Sequence, residues 1–163
     1  DLIEADDLKI KVLYTPGHCP EHISLMVDNF LLCGDTVFNC GVGNTKFRGN
    51  VEMLYKTIFH KIKNLPENLL VFPGHDYLYN NILFLESLYE DSTKIDMELI
   101  QLKENFNEHN LSPIRDLIFE KKHNPFFRID QYSFLDLIKN KNLFENEEIQ
   151  FRFKLLRRFR DEW

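Results

Sequence analysis

Cysteine, long apolar runs, net positive charge and compact metal-binding signatures are scarce or absent in this 163-residue chain. The three cysteines, Cys19, Cys33 and Cys40, are an odd number without framework spacing. That excludes a disulfide-stapled scaffold and points to a reduced compartment: the cytoplasm, or an organelle if a leader lies upstream. No apolar run approaches the roughly 20 residues of a membrane helix, and no secretory signal is present, so no membrane partner is expected. Lys and Arg number 20 against 26 Asp and Glu, a formal charge of -6. Nonspecific nucleic-acid binding, which needs a net basic surface, is thereby excluded. H-x-H, H-E-x-x-H and C-x-x-C are missing, and with them the compact ways of holding zinc. An initiator Met is missing too, Asp1 standing first, which leads to the expectation of an N-terminal portion upstream.

What the chain has in quantity is core-forming material. Hydrophobic residues make up 44%, with 15 Phe and six Tyr, enough for one domain or one and a half. Leu8 to Thr15 and His22 to Val27 alternate apolar and polar residues, and Phe30 to Cys33 is a short apolar run after the turn Asp28-Asn29. These predict strands joined by tight turns. From Asn50 the period changes, with Val51, Leu54, Tyr55, Ile58, Phe59 and Ile62 at helical spacing until Pro66, and a buried-type strand from Leu69 to Phe72 follows. Tyr77 to Tyr89 predicts a helix, Asp91-Ser92-Thr93 interrupts it, and Lys94 to His109 predicts another. Beyond that point no strand signal is found. Ser112-Pro113, Asn124-Pro125 and apolar-periodic stretches at Tyr132 to Lys139 and Glu147 to Arg160 predict a helical subdomain, with the boundary near residue 92.

Three turns carry metal-capable side chains: Tyr14-Thr15-Pro16-Gly17-His18, Gly34-Asp35-Thr36 and Phe72-Pro73-Gly74-His75-Asp76. Each follows strand-like sequence and is framed by Gly, which admits close approach of other groups. Two such histidines and a carboxylate, spread over some sixty residues, describe a metal site assembled by a fold. Asp35 offers two oxygens and is suited to bridge a pair of cations about 3.5–4 Å apart. His22, His60, His109 and His123 lack this framing and are read as structural. The cysteines are read as packing thiols, Cys19 and His18 pointing to opposite sides of an extended segment. The basic run Arg152, Lys154, Arg157, Arg158 and Arg160 is a solvated helix face or a carboxylate clamp.

Taken in order, TPGHCPEHIS, LLCGDTVF, VFPGHDYLYNN and HNPFFRI resemble the metallo-β-lactamase superfamily and, within it, glyoxalase II, the hydroxyacylglutathione hydrolases, over essentially the whole chain. The resemblance implies an α/β fold: residues 1–92 as the C-terminal half of an αββα sandwich, and 93–163 as a helical domain that binds the glutathione substrate. It implies two divalent metal ions, zinc first and iron as the alternative. His18 would bind one ion, Asp35 would bridge, and His75 would bind the second. The upstream T-H-x-H-x-D-H motif that supplies the remaining ligands in that family is not in this chain.

By the same resemblance, Lys46, Tyr77, Arg157 and Arg160 would bind glutathione. Arg160 replaces a Lys familiar in some members, and the loop Gly41 to Gly49 departs from the family pattern by extra residues before Lys46. The implied reaction is cleavage of an S-2-hydroxyacylglutathione such as S-D-lactoylglutathione to glutathione and D-lactate, with a hydroxide bridging the ions, in methylglyoxal detoxification. Two alternatives stand beside it: a persulfide dioxygenase of the same superfamily, and a non-catalytic truncated module. With half the ligands elsewhere, the missing N-terminal half of the sandwich is the partner the site requires, and the chain alone is expected to turn over little.

Overall fold

The computed structural model describes residues 1–107, 111–145 and 148–163. A six-stranded mixed sheet is its backbone. It is built from β1 (Leu2–Ala5), β2 (Leu8–Tyr14), β3 (Ile23–Val27), β4 (Phe30–Gly34), β7 (Leu70–Pro73) and β8 (Arg115–Asp116), in the order β1-β2-β3-β4-β7-β8. β1 to β4 form an antiparallel meander, whereas β4 and β7 run parallel. Parallel neighbours need a long crossover. Here it contains the small hairpin of β5 (Val37–Phe38) and β6 (Gly41–Val42), then helix α1 (Val51–His60).

Alternation divides the sheet into two unlike faces. On one, Leu31, Cys33 and Val71 are fully buried and join Leu54 and Ile58 of α1 in the core, with Leu13 and Met26 at its margin. On the other, the register aligns Ile10 with Val27, Tyr14 with Ile23, Val12 with Leu25, and Leu25 with Leu32. Leu32 is in turn aligned with Phe72. Tyr14, Ile23, Phe30 and Leu32 on this second face are exposed.

The remaining helices are α2 (Leu78–Leu88), α3 (Met97–Glu104), α4 (Leu117–His123), α5 (Pro125–Arg128), α6 (Tyr132–Leu135) and α7 (Ile149–Glu162). Their starts follow side-chain chemistry. Asn50, Asp96, Asp116 and Asn124 each accept a first-turn backbone N–H of α1, α3, α4 and α5, which satisfies donors that a helix end otherwise leaves open. α7 lies against α1 through an aromatic cluster in which Phe153 meets Tyr55, Phe59 and Phe126 edge-on.

The structure corrects the sequence reading in three places. The segment after residue 109 does contribute a strand, since β8 pairs antiparallel with β7; two residues are too short to show a period. The helix expected over Lys94 to His109 begins at Met97, because Asp96 caps it, and ends at Glu104; His109 lies outside the described residues. α4 and α5 arise where only the Asn124-Pro125 punctuation was visible, that pair marking the joint between them.

Candidate metal centre

β2, β4 and β7 point the same way, so their C-terminal ends share one edge of the sheet, and the three metal-capable turns leave from those ends. This is the edge at which open sheets with parallel strands collect ligand-binding groups. The turn at Gly34 is tied to the turn at Gly74 by the Gly74 N–H, which donates to the Gly34 carbonyl at 2.9 Å. A Cβ at Gly74 would lie 2.5 Å from Asp35 Oδ1. Only Gly lets the backbone pass so close to the carboxylate.

His18 Nε2 lies 3.5 Å and His75 Nε2 3.6 Å from the same atom, Asp35 Oδ2. His18 Nδ1 is 2.8 Å from the Asn44 carbonyl, which can only accept, so the ring donates from Nδ1 and turns Nε2 towards the carboxylate. Among the described residues no Lys or Arg pairs with Asp35, and positive charge must come from protons on the imidazoles or from a bound cation. Two nitrogens fixed around one carboxylate oxygen fit a divalent metal of the zinc type. The one trio of described ligand atoms lying mutually within 4.8 Å is elsewhere, at Asp96, Glu98 and His123, where Lys122 already pairs with both carboxylates. His123, read as structural, is buried against Phe119 and paired with Glu98.

His22, read as structural, is the supporting residue that the sequence did not reveal. Its Nε2 accepts the Asp35 backbone N–H at 3.2 Å, while Nδ1 lies 3.0 Å from the hydroxyls of both Thr15 and Thr36. Because Nε2 accepts, the proton sits on Nδ1. Burial first, and then the neighbouring His18, hold this imidazole below the ordinary histidine range, which keeps the acceptor in place. No local pattern announces this role, since it depends on two turns meeting.

Beside the trio opens a cleft of about 340 Å³. Lys46, Tyr77, Arg157 and Arg160, far apart in sequence, all line it. Tyr77 stacks on His75 with ring centroids 5.5 Å apart and meets Phe38 edge-on, which joins the cleft to the metal-capable edge. Lys46 is half exposed, its side chain 54% accessible, and donates to the main-chain carbonyl of Asp161 at 3.0 Å. Arg160 lies over the rings of Phe84 and Trp163.

Arg157 differs from the free clamp expected of it. Its side chain is only 7% accessible and is already engaged, donating to the Val42 carbonyl at 2.9 Å, the Gly43 carbonyl at 3.4 Å and the Asp161 carboxylate at 2.9 Å. Gly43 in turn packs so tightly on Asp35 that a Cβ there would sit 2.0 Å from the Asp35 carbonyl oxygen. Cys33 and Cys40 are core thiols, burial pushing Cys33 up to about 12, and no disulfide joins them.

Comparison with known proteins shows the family of the chain. A family described as "Metallo-beta-lactamase superfamily" matches residues 1–75, and one described as "Hydroxyacylglutathione hydrolase C-terminus" matches residues 76–163. The chain is 36% identical over 124 residues to a hydroxyacylglutathione hydrolase of Nitrosococcus oceani, covering 74% of this chain and 46% of that protein. It is 31% identical over 161 residues to one from Polaromonas sp., covering 96% and 60%. The chain thus spans about half the length of these curated relatives. Among solved structures, ETHE1 from Myxococcus xanthus superposes with a TM-score of 0.57 at 23% identity, covering 94% of this chain and 57% of that one. A metallo-beta-lactamase from Staphylococcus aureus gives 0.54 at 22%, covering 96% and 42%. Those two likenesses concern the fold. With the C-terminal family covering more than half its length, the chain belongs to the hydroxyacylglutathione hydrolases of the metallo-beta-lactamase superfamily.

Proposed function

We propose that this chain forms the C-terminal part of a metal-dependent thioester hydrolase of the glyoxalase II type. Its substrate would be an S-2-hydroxyacylglutathione such as S-D-lactoylglutathione, released as glutathione and D-lactate in methylglyoxal detoxification. The observation that carries this reading is the convergence of His18 and His75 on Asp35 Oδ2 next to a cleft bordered by cations.

Superfamily membership implies a divalent metal; in this reading it is zinc, or iron, as a pair held in part by His18, Asp35 and His75. When bound, such ions polarise a thioester carbonyl and lower the pKa of water. The chain's own residues do the rest. His22 holds the Asp35 backbone, and the Asn44 carbonyl holds His18 in the tautomer whose Nε2 is free. Phe38 and Tyr77 make an aromatic wall beside His75. Lys46 and Arg160 supply charge for a glutathione carboxylate, Arg forks matching carboxylate geometry.

Residues 1–92 act in this proposal as the metal-bearing part and 93–163 as the substrate-binding part. The apolar sheet face around Leu32 and the twofold greater length of the relatives support a further sandwich half as the required partner. The three free thiols favour the cytoplasm. Among the described residues, no helix is long and apolar enough to cross a membrane.

The test is thioester cleavage by the protein that joins this chain to its N-terminal half, assayed with S-D-lactoylglutathione. Hydrolysis that needs metal is the expected result. Persulfide-dependent oxygen uptake without thioester cleavage would overturn the assignment. Residues 1–163 alone should hydrolyse little.

A further inference from the structure

The β5–β6 hairpin leaves the candidate metal centre after Asp35 and returns to it at Gly43 and Asn44, so its placement bears on two candidate ligands together. The Gly43 N–H closes its base on the Thr36 carbonyl at 3.4 Å. Gly43 packs on the Asp35 carbonyl, and the Asn44 carbonyl orients His18. At the far end Cys40 holds a left-handed backbone, φ 58°, which a residue with a Cβ disfavours. Such a conformation persists only where its surroundings enforce it.

The surroundings here are three side chains from the helices. Glu120 Oε2 accepts the Cys40 N–H at 3.0 Å, and the Asn81 side-chain amide donates to the Asn39 carbonyl at 2.9 Å. The Asn124 side-chain amide donates to the Gly41 carbonyl at 2.9 Å, to the Phe38 carbonyl at 3.5 Å and to Glu120 Oε2 at 2.8 Å. Asn81 and Asn124 lie in the stretches VFPGHDYLYNN and HNPFFRI, and this turn is their shared partner. Glu120 is fully buried and its second oxygen has no partner. A polar group left partly unpartnered in the interior costs stability, so this carboxyl is not arranged for packing alone.

We propose that Glu120 is a positioning residue of the metal centre: by pinning the Cys40 turn to α4 it fixes the returning arm of the hairpin, and with it the Gly43 contact to Asp35 and the Asn44 carbonyl that sets the His18 tautomer. The inference rests on the metal reading for its consequence and on the hydrogen bonds for its geometry. Arg157 ties the same arm at the Val42 and Gly43 carbonyls, so the arm is held at both ends. Both ties come from residues after 92, whereas His18, Asp35 and His75 all precede that point. The helices thus set the geometry of an edge whose candidate ligands they do not supply.

Glu120→Leu removes the acceptor and keeps the bulk, whereas Glu120→Gln keeps the acceptor. Phe134→Leu, in the buried core of α6, is the control for lost stability. In the 163-residue chain at about pH 7.5, imidazole nitrogen spectra should place the His18 proton on Nδ1 in the native chain, in Glu120→Gln and in Phe134→Leu. Glu120→Leu should show mixed tautomers, and its Gly43 N–H should exchange with deuterium about tenfold faster. In the protein that joins this chain to its N-terminal half, Glu120→Leu should weaken zinc binding about tenfold and Glu120→Gln should not, by competition with a chromophoric chelator.

A His18 tautomer and a Gly43 exchange rate that Glu120→Leu leaves unmoved overturn the proposal. So does an equal change in Phe134→Leu, or a failure of Glu120→Gln to restore the native values. If the native joined protein binds no zinc, the metal reading fails on its own, and Glu120 is judged by the His18 and Gly43 measurements, which need no metal. Where Glu120→Leu does not fold, Glu120→Asp, whose carboxyl stops one methylene short of Cys40, is read in the same way.

Discussion

Two of the three candidate metal ligands are held by a neighbour that carries no chemistry of its own. Asp35 is fixed through its backbone by His22, and His18 through Nδ1 by the Asn44 carbonyl. Outer partners of this kind are commonly worth about 10–100-fold in metal affinity. His22→Ala in the complete enzyme should therefore weaken zinc binding by about that factor, read by competition with a chromophoric chelator, while Asp35→Ala should abolish turnover. Arg157 makes the opposite point. Its guanidinium is spent on two carbonyls and a carboxylate, so Arg157→Ala should lower stability by about 3–5 kcal/mol, as removing one partner of a buried pair does. A denaturant melt checks this, and a rise in KM with unaltered stability would contradict it. The sequence showed the candidate ligands because Gly-framed turns after strands are local signals. It hid His22 and the engagement of Arg157, because both depend on groups contributed by distant turns.

At the scale of elements, α4 is anchored under the β5–β6 hairpin by one buried carboxyl. Glu120 Oε2 accepts the Cys40 N–H at 3.0 Å and the Asn124 side-chain amide at 2.8 Å, while Oε1 is buried without a partner. Burial pushes this carboxyl up to about 8 from an ordinary 4.5. The folded chain therefore keeps a proton that the unfolded chain releases. The stability this gives is complete below pH 4.5 and is lost as the pH rises through 8, by about 5 kcal/mol in all. Half-buried His22 and buried His123 are held low, chiefly by burial, and act in the opposite sense below pH 6.5, so wild type must be compared with a variant. Glu120→Gln should gain on wild type steadily between pH 5 and pH 8 in urea melts; a constant difference would refute the shift. The helix over 51–60 was legible from its apolar period, and that over 78–88 from its apolar density and length. α4 and α5 were not, because each is short and its cap, not its period, defines it.

For the whole molecule, the uneven sheet decides behaviour in solution. Exposed Tyr14, Ile23, Phe30 and Leu32 form a contiguous apolar surface, the type of patch that drives association. The 163-residue chain should self-associate at micromolar concentration, and Ile23→Thr with Leu32→Thr should shift it towards monomer in size-exclusion chromatography without lowering its melting temperature, since Thr suits an exposed strand. A chain that is monomeric without these changes would contradict the expectation. Alternation at Leu8 to Thr15, the helical period from Val51 and the Gly-framed turns were enough to establish an α/β chain with candidate ligands at residues 18, 35 and 75, because those signals are written in neighbouring residues. Which groups face one another was settled only by folding. Parallel pairing of β4 with β7 brings Asp35 beside His75, burial commits Arg157 to the backbone of residues 42 and 43, and the i, i+4 geometry of α7 sets Asp161 against it. Such relations are distances in space between residues up to 115 positions apart, and no periodicity along a chain encodes them.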